Sequence, residues 1–354
     1  MTRGDAPVKL VAVKETLGPS ADGEAEPAPD GERGQAAESD AEADGDGEAD
    51  GEADGALEAE LPKLTLRQLA IHVGLFLAAC VTTYSFGGAW FSATLMSILV
   101  CHEFGHYLVA RWHGVPVSLP YFIPLPPQVS LGTLGAVIRM PQAIREPHRL
   151  FDVGVAGPLA GVAVALPLLG LGLSWSELGP VPPGNILEGN SLLYLAFKLA
   201  VFGRYLPADG IDVQLHPMAF AAWVGLLVTM INLIPIGQLD GGHLARAVLG
   251  GRHEQWSRRL HVVMPALGVA LASIMFALAL EHGLSPGAAL RYASYGGLPW
   301  FTWSLLLLLM RRSAGEYHPA VDDIALDPAR RRLAVGVAIL FLLIFTPVPF
   351  RPPL

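Results

Sequence analysis

The sequence predicts an all-α polytopic membrane protein with about six to seven transmembrane helices and a re-entrant or interfacial β-hairpin. Three observations lead to this fold class. The 354-residue chain is 52% hydrophobic and only 16% charged, with a mean hydropathy of +0.44, whereas soluble domains carry about 25% charged residues. Its apolar residues fall into long runs separated by short charged stretches, as in multi-span helical membrane proteins. One apolar connection between two runs is too rich in proline to be helical.

The chain opens with an acidic segment, residues 1–60, that holds 18 of the 32 acidic residues and only four of the 23 basic ones. Its Glu-Ala-Asp-Gly units contain almost no large apolar side chain, so they cannot offset the entropy of ordering. We predict a disordered, solvating tail; a partner-binding tail is the alternative. No cleaved signal peptide is expected, and the two cysteines, both in apolar runs, offer neither a disulfide framework nor a zinc site.

Seven helical runs are predicted, at about 66–86, 89–109, 150–173, 217–236, 262–280, 298–310 and 333–347. The sixth run is shorter than the roughly 20 residues that one membrane crossing needs. These runs divide the body of the chain into a core, residues 61–250, and additional C-terminal transmembrane helices, residues 251–354.

Two connections between runs are not transmembrane helices. Residues 114–141 hold six prolines, yet Leu131 to Met140 has the composition of a strand. Non-helical backbone is tolerated at membrane depth only beside protein or a water-filled cavity, so we expect a hairpin beside a cavity. The connection at residues 174–215 is polar at both ends, and Leu192 to Leu206 could be a helix on the membrane surface.

The positions of Lys and Arg predict the orientation. With a cytoplasmic N-terminus, 15 basic residues after residue 60 fall inside and only four fall outside, namely Lys198, Arg204, Arg291 and Arg351. Cytoplasmic loops carry such an excess. The expected location is a cell membrane, and specifically the inner membrane of a bacterium. Nothing in the sequence predicts nucleic-acid binding.

The second apolar run contains His102-Glu103-Phe104-Gly105-His106. Residues four apart share a helix face, so His102 and His106 can bind one metal ion. Glu103 lies beside that face, where it can act as a general base towards water. Ionisable residues inside an apolar helix are costly and usually functional, which favours a zinc site over a chance match.

Zinc needs a third protein ligand and an open position, and the candidate is Asp240. It lies in the segment Asn232-Leu-Ile-Pro-Ile-Gly-Gln-Leu-Asp240-Gly241-Gly242, whose proline and glycines break the preceding helix and allow a close turn. A plain capping role is the alternative. Asp152 is the competing carboxylate, but it is expected to open the third helix just after Arg149, which favours a capping role or a role towards the helix dipole over metal binding. His243 is interpreted as structural.

The two motifs resemble those of the site-2 protease family of intramembrane zinc metalloproteases, peptidase family M50. Residues 154–161, Gly-Val-Ala-Gly-Pro-Leu-Ala-Gly, are similar to the third core-helix motif of that family. The resemblance covers about residues 65–250. The segments Tyr121-Phe-Ile-Pro124 and Gly237-Gln-Leu-Asp240 resemble the short forms of cyanobacteria and chloroplasts, called ethylene-dependent gravitropism-deficient-like proteases.

The resemblance implies one zinc ion per chain on His102, His106 and Asp240, with Glu103 as general base. It also implies that Asn232 contacts the substrate backbone or a developing oxyanion, although a hydrogen bond within the helix bundle is the alternative. Gly157 and Gly161, on this interpretation, permit close helix packing. Substrates would be membrane proteins with a transmembrane helix, trimmed beforehand by another protease. The connection at 174–215 is too short for a peptide-binding PDZ domain.

The strand-like segment around Thr133 and Gly135 is the candidate for holding an unwound substrate, because an exposed strand edge can pair with an extended peptide. The predicted function is therefore zinc-dependent cleavage of peptide bonds in or near transmembrane segments. The competing hypothesis is a non-catalytic membrane zinc protein, either a transporter or a pseudo-protease. No internal repeat typical of transporters is visible, and the intact Glu103 argues against a pseudo-enzyme.

Overall fold

The computed structural model describes residues 64–181 and 184–353, so the predicted acidic tail lies outside the described residues. Most of the described chain is helical. Its helices are α1 (Leu66–Trp112), α2 (Pro147–Ser174), α3 (Leu192–Phe202), α4 (Pro217–Asn232), α5 (Asp240–Leu249), α6 (His253–Glu281), α7 (Pro286–Ala314) and α8 (Pro328–Ile344). Its strands are β1 (Tyr121–Pro124), β2 (Thr133–Val137), β3 (Glu177–Pro180), β4 (Leu187–Glu188), β5 (Ile211–Gln214) and β6 (Phe350–Arg351).

Helix α1 is two limbs joined by a sharp turn. Gly88 has non-helical torsion angles (φ 77°, ψ −172°). The Ser92 hydroxyl donates to the Cys80 carbonyl at 3.1 Å and lies 2.7 Å from the Thr83 hydroxyl. In a straight helix, residues 80 and 92 would lie about 18 Å apart. The chain therefore folds back at Gly88, as the two separate runs predicted, and the limbs comprise residues 66–87 and 89–112.

The first limb begins with a capping box. Thr65 accepts from the backbone N–H of Gln68, and the Gln68 side chain accepts from the backbone N–H of Thr65. The two amides that would otherwise lack partners at this helix end are thus satisfied. The second limb carries the His-Glu-x-x-His motif, and the side chains of that motif are buried.

The proline-rich connection forms the predicted hairpin. Strands β1 and β2 pair antiparallel, with Tyr121 opposite Val137 and Phe122 opposite Ala136, and a bulge follows towards Pro124. The hairpin lies against α1: Phe76 contacts the buried Phe122 edge-on, and the Thr82 hydroxyl donates to the Gly132 carbonyl. The structure of the hairpin is as expected, and its position relative to a bilayer stays a prediction.

Helix α2 occupies the centre of the fold and packs against α1, α4 and α5, whereas α6 and α7 pack mainly against each other. The predicted sixth run, residues 298–310, was too short. Helix α7 begins twelve residues earlier, where Ser285 caps it and Pro286 takes its first position. Its first half is rich in small and polar residues, which conceal it from a hydropathy pattern. Gly296 and Gly297 there pack closely against α6.

The structure contains three helical elements, among the residues it describes, that are long and apolar enough to cross a membrane: Leu66–Trp112, Pro147–Ser174 and Asp240–Glu281. The predicted count of six to seven spans is therefore not confirmed. The first element contains two antiparallel limbs, each with the roughly 20 residues that one crossing needs. Helix α4 has only 16 residues. Large apolar side chains lie exposed along the outer surface, for example Val81 and Leu305, as lipid contact requires.

The connecting segments collect at two ends of the helices. Strand β4 pairs with β6, so the C-terminal residues return to the 174–215 connection. The segment after α7 instead reaches the other group of loops, where the Asp322 amide donates to the Arg145 carbonyl and Arg330 pairs with Asp152. The segments assigned to opposite sides by their charges are thus segregated. The side that faces the cytoplasm stays a prediction.

A candidate zinc centre

Three predicted ligands converge. The Nε2 atom of His102 lies 3.1 Å from a carboxylate oxygen of Asp240, and the Nε2 atom of His106 lies 3.3 Å from the other oxygen. The two Nε2 atoms are 3.2 Å apart. Among the described residues this is the one group of three or more His, Cys, Asp or Glu side chains whose ligand atoms approach within 4.8 Å of one another.

The spacing fits a tetrahedral zinc ion. Zinc binds His nitrogen at about 2.0–2.1 Å, so two ligand atoms of a tetrahedron lie about 3.3 Å apart. The observed separations, 3.1, 3.3 and 3.2 Å, match this value. Two His and one carboxylate also form the ligand set of many catalytic zinc sites, in which a fourth position stays open. The residues therefore fit a zinc ion, and their role as ligands stays a prediction.

The local structure orients each histidine. The Nδ1 atom of His106 lies 2.7 Å from the Val153 carbonyl oxygen. A carbonyl only accepts, so Nδ1 carries the hydrogen and Nε2 is left with the lone pair that a metal ion needs. A Cβ atom on Gly157 would lie 2.0 Å from His106 Nε2, and one on Gly161 would lie 3.2 Å from His102 Nδ1. These two glycines were expected to permit helix packing, and the surfaces packed on them are the ligand rings.

Asp240 is the first residue of α5, and it does not cap that helix. Helix α4 ends at Asn232, and the seven residues between the helices form a compact turn. A Cβ atom on Gly241 would lie 2.1 Å from the Leu233 carbonyl oxygen, and one on Gly242 would lie 2.2 Å from the Gly237 carbonyl oxygen. The paired glycines thus let the turn close and bring the Asp240 carboxylate to the two histidines.

Glu103 lines the cavity that contains the three candidate ligands. The cavity has a volume of about 220 Å³. Glu103 is only 5% exposed, and no ion pair joins it to another described residue. The cavity wall opposite the helices includes Ala136, Val137 and Ile138, which belong to β2 and the residue after it. A carboxylate, the candidate metal ligands and a strand edge therefore line one cavity.

The three candidate substrate-binding residues are placed differently. Asn232 lines the metal cavity, with its Nδ2 atom 3.5 Å from His102 Nε2. Thr133 and Gly135 do not line that cavity; they border a neighbouring one of about 140 Å³, which Asn232 also borders. The Thr133 hydroxyl donates to the Ile123 carbonyl at 2.9 Å, inside the hairpin. Their contacts with substrate stay predictions.

Asp152 is not part of the candidate metal site. Helix α2 begins at Pro147, so Asp152 does not open that helix as expected. Its carboxylate instead accepts hydrogen bonds from Arg330 of α8, one of them at 2.8 Å, and lies 3.0 Å from His113 Nε2. It joins the end of α1, the start of α2 and the start of α8.

Sequence reasoning missed a histidine pair beside the cavity. His243 lines the metal cavity, and its Nδ1 atom lies 2.7 Å from Nε2 of His318. The two residues are 75 positions apart, and a single His after α7 carries no spacing signal. The only signal was the position of His243 on the face of α5 that presents Asp240, three residues earlier.

The sequence around this site is similar to that of known proteins. The family model described as peptidase family M50 matches residues 90–275, which include every candidate ligand. The chain is 29% identical over 269 residues to the probable zinc metalloprotease EGY2, chloroplastic, of Oryza sativa subsp. indica, covering 74% of this chain and 43% of that protein. It is 29% identical over 262 residues to the probable zinc metalloprotease EGY1, chloroplastic, of Arabidopsis thaliana, covering 72% and 42%.

The chain spans less than half the length of these curated relatives. No solved structure matches it. The family model covers more than half of the chain and contains both motifs. The geometry of the cluster agrees with the name of the relatives, since two histidines and an aspartate stand at zinc-ligand separations. The chain belongs to peptidase family M50.

Proposed function

We propose that this chain is a zinc-dependent intramembrane endopeptidase that hydrolyses peptide bonds in or near transmembrane segments of membrane-protein substrates. The observation that carries the proposal is the convergence of three ligand atoms, 3.1–3.3 Å apart, on helices of a membrane protein, beside a buried Glu. We infer one zinc ion per chain, held by His102, His106 and Asp240.

Three residues of the cavity have a chemical task in this proposal. A bound zinc ion supplies a Lewis acid that polarises a carbonyl and lowers the pKa of water. Glu103 takes a proton from the attacking water and returns it to the leaving amine. The Asn232 amide donates to the oxygen that gains negative charge, since donors aimed at a developing oxyanion stabilise the transition state. His106 stays oriented through its bond to the Val153 carbonyl.

The substrate reaches this cavity in an extended form. A peptide bond within a transmembrane helix is hydrogen-bonded and shielded by side chains, and unwinding it in lipid costs several kcal/mol for each unpaired group. Among the strands of the described chain, none pairs with the second edge of β2. Residues 136–138, which line the cavity, can pair there with an unwound substrate. Thr133 and Gly135 extend the same edge away from the metal.

The proposal also covers the location of the protein and its substrates. We infer that the protein lies in a cell membrane, and we propose the bacterial inner membrane. Its N-terminus faces the cytoplasm, because the 15 basic residues assigned inside outnumber the four assigned outside. The substrates are membrane proteins, trimmed beforehand by another protease so that they fit a cavity of about 220 Å³.

The deciding experiment compares wild type with Glu103→Gln in proteoliposomes that contain a model membrane substrate. Loss of a general base lowers the rate by roughly 10²–10⁴-fold, while zinc content, measured by atomic absorption, should stay at one per chain. A substrate with glycine next to the scissile bond should be cleaved faster, because its helix unwinds more readily. Normal turnover by Glu103→Gln would show that the proposed chemistry is wrong.

The same experiment tests the competing function. A membrane zinc transporter or a pseudo-protease would bind zinc equally well in both proteins and cleave nothing. No observation on this chain favours that function, so it remains the outcome in which neither protein cleaves the substrate.

A further inference from the structure

A third histidine packs on the same face of α2 as the two candidate histidine ligands. Three glycines of α2 each pack against a different histidine side chain: Gly154 against the Cβ atom of His243, Gly157 against the ring of His106 and Gly161 against the ring of His102. Residues at these spacings share one helix face. A Cβ atom on Gly154 would lie 3.3 Å from the Cβ atom of His243. His243 is thus held beside the ligands, although it is not in the cluster within 4.8 Å.

Hydrogen bonds outside the cavity fix which nitrogen of His243 carries the proton. The Nδ1 atom of His318 lies 2.8 Å from the Pro319 carbonyl oxygen, which can only accept. Nδ1 of His318 therefore carries its hydrogen, and in the neutral ring Nε2 is an acceptor. That acceptor lies 2.7 Å from His243 Nδ1, which must be the donor. The Nε2 atom of His243 is then left with a free lone pair.

The surroundings of His318 keep its ring neutral. His318 is 7% exposed and lies in the segment between α7 and α8. Burial lowers the pKa of His318, the nearby positive charge of Arg246 lowers it further, and the bond to the Pro319 carbonyl opposes both. A neutral His318 is the state that accepts a hydrogen bond from His243.

The residue that carries this free nitrogen belongs to the wall of the metal cavity. His243 lines that cavity together with Val137 and Asp240. Among the described residues, no hydrogen-bond partner takes its Nε2 atom, since the one side-chain bond of His243 uses Nδ1. An acceptor in this position recognises an N–H group. The substrate proposed for this cavity, an extended peptide, offers backbone N–H groups on both sides, and the edge of β2 can satisfy only one side.

We propose that His243 accepts a hydrogen bond from a backbone N–H of the extended substrate next to the scissile bond. His318 is the positioning residue that sets the tautomer of His243. The inference rests on the proposed endopeptidase function, whose substrate it concerns. It gives a role to two histidines that lie outside the group of candidate zinc ligands.

The test uses paired substitutions in the full-length, zinc-loaded protein. His243→Asn keeps a donor near the Nδ1 position and loses the atom at Nε2, whereas His243→Gln places an amide oxygen near Nε2. His318→Gln keeps an acceptor for His243, and His318→Leu removes it. His253→Gln is the matched control, because the His253 ring lies 5.7 Å from His318 but does not line the cavity.

KM, kcat and zinc content are measured on the model membrane substrate. One backbone hydrogen bond present in both the ground state and the transition state affects KM and not kcat. His243→Asn and His318→Leu should each raise KM about three- to tenfold, the two Gln variants should restore most of the affinity, and His253→Gln should match wild type. Zinc content should stay unchanged in all five.

Specific outcomes would overturn the inference. An unchanged KM in His243→Asn, in a protein whose activity depends on Glu103, would remove His243 from substrate binding. Zinc loss in His243→Asn would make His243 a metal-binding residue instead. Equal effects of His318→Gln and His318→Leu would mean that His318 serves packing only. Activity that survives Glu103→Gln would instead contradict the proposed function, which separates the two failures.

Discussion

Two buried clusters of ionisable side chains occupy opposite parts of this protein, and they differ in where their positive charge comes from. We call them the lysine cluster and the metal cluster. The lysine cluster, in the 174–215 connection, consists of Lys198, Glu188, Asp212 and Tyr194. The metal cluster consists of His102, His106 and Asp240.

The lysine cluster contains its own cation. Lys198 is fully buried, and its Nζ atom lies 2.9 Å from Glu188 and 3.2 Å from Asp212. The Tyr194 hydroxyl donates to the same Glu188 oxygen at 2.8 Å. Burial and the neighbouring Glu188 carboxylate raise the pKa of Tyr194 well above its usual value, so that this hydroxyl stays protonated. The chain supplies both signs of charge.

The metal cluster presents three ligand atoms to one point, and no Lys or Arg of the described residues forms an ion pair with it. Acceptors converge at 3.1–3.3 Å with an open cavity on one side. The contrast teaches that burial of charge does not identify a reactive site. A buried carboxylate with its own lysine is structural, whereas a carboxylate that converges with two imidazoles presents a ligand set that fits a metal cation.

Breaking each cluster should therefore have opposite consequences. Lys198→Met leaves two buried carboxylates unpaired, which costs about 3–5 kcal/mol of folding free energy. Thermal unfolding in detergent should show a large loss of stability, while the zinc content of the remaining folded protein stays at the wild-type value. Asp240→Ala is the matched comparison, and it should lose zinc and activity with a smaller change in the stability of the apo protein.

The comparison would fail if Lys198→Met lost zinc in its folded fraction, because the lysine cluster would then support the metal site. A triple variant, Lys198→Met with Glu188→Gln and Asp212→Asn, removes all the charges together. It should recover part of the lost stability, since an uncharged cluster carries no unpaired charge.

The rings of the metal cluster can also be displaced without changing a ligand. Gly157→Ala would place a Cβ atom 2.0 Å from His106 Nε2, a distance that forces the ring or α2 to move, whereas Gly161→Ala would place one 3.2 Å from His102. We expect Gly157→Ala to lower zinc affinity by about 10–100-fold, as loss of a supporting contact to a ligand does. Gly161→Ala should have a clearly smaller effect.

Competition with a zinc chelator measures both affinities in the same detergent. Each variant adds one methyl group to the wild-type protein, at a different position of α2, so each controls for the effect of the other on helix propensity. Equal affinities would show that the contact with His106 does not set the geometry of the site.

The sequence predicted which residues of the metal cluster converge, but it did not predict the contacts that position them. The i, i+4 histidines and the Asp240 turn are local patterns, and each can be read from a short stretch of chain. The hairpin limbs of α1 and the β1–β2 hairpin were also predicted, because Gly88 and the prolines mark their ends locally. The contact of Gly157 with His106 depends on how α2 crosses α1, and no residue spacing encodes that crossing.

Three other features of the structure were not predicted from the sequence, for related reasons. His318 meets His243 only because the segment after α7 returns to the metal end of the fold. The pairing of Lys198 joins a helix to β5, 14 residues away. The start of α7 was missed because small residues there serve helix packing against α6 and have no apolar run. Long-range packing decided each of these, whereas composition and periodicity report only what lies within a few turns.

A third charged group extends the comparison to an exposed site, where the smallest effect is expected. Asp327 caps α8 by accepting from the amides of Ala329 and Arg330, and it pairs with the Arg330 side chain. The Arg330 guanidinium and the two amides lower the pKa of Asp327 to about 2, from an ordinary value of 3.8. Asp327→Asn keeps a capping oxygen, because Asn caps a helix as well as Asp does, and removes only the charge.

The sign of the pH dependence follows from the lowered pKa. A carboxyl group with a depressed pKa contributes stability above its unfolded pKa and loses it as the pH falls through the folded value. The difference in thermal midpoint between wild type and Asp327→Asn should thus be small near neutral pH, constant above about pH 4, and lost as the pH falls through about 2. Solvent and salt screen a charge at this surface, so salt should reduce the difference further. An effect on stability as large as that of Lys198→Met would contradict the view that burial separates these clusters.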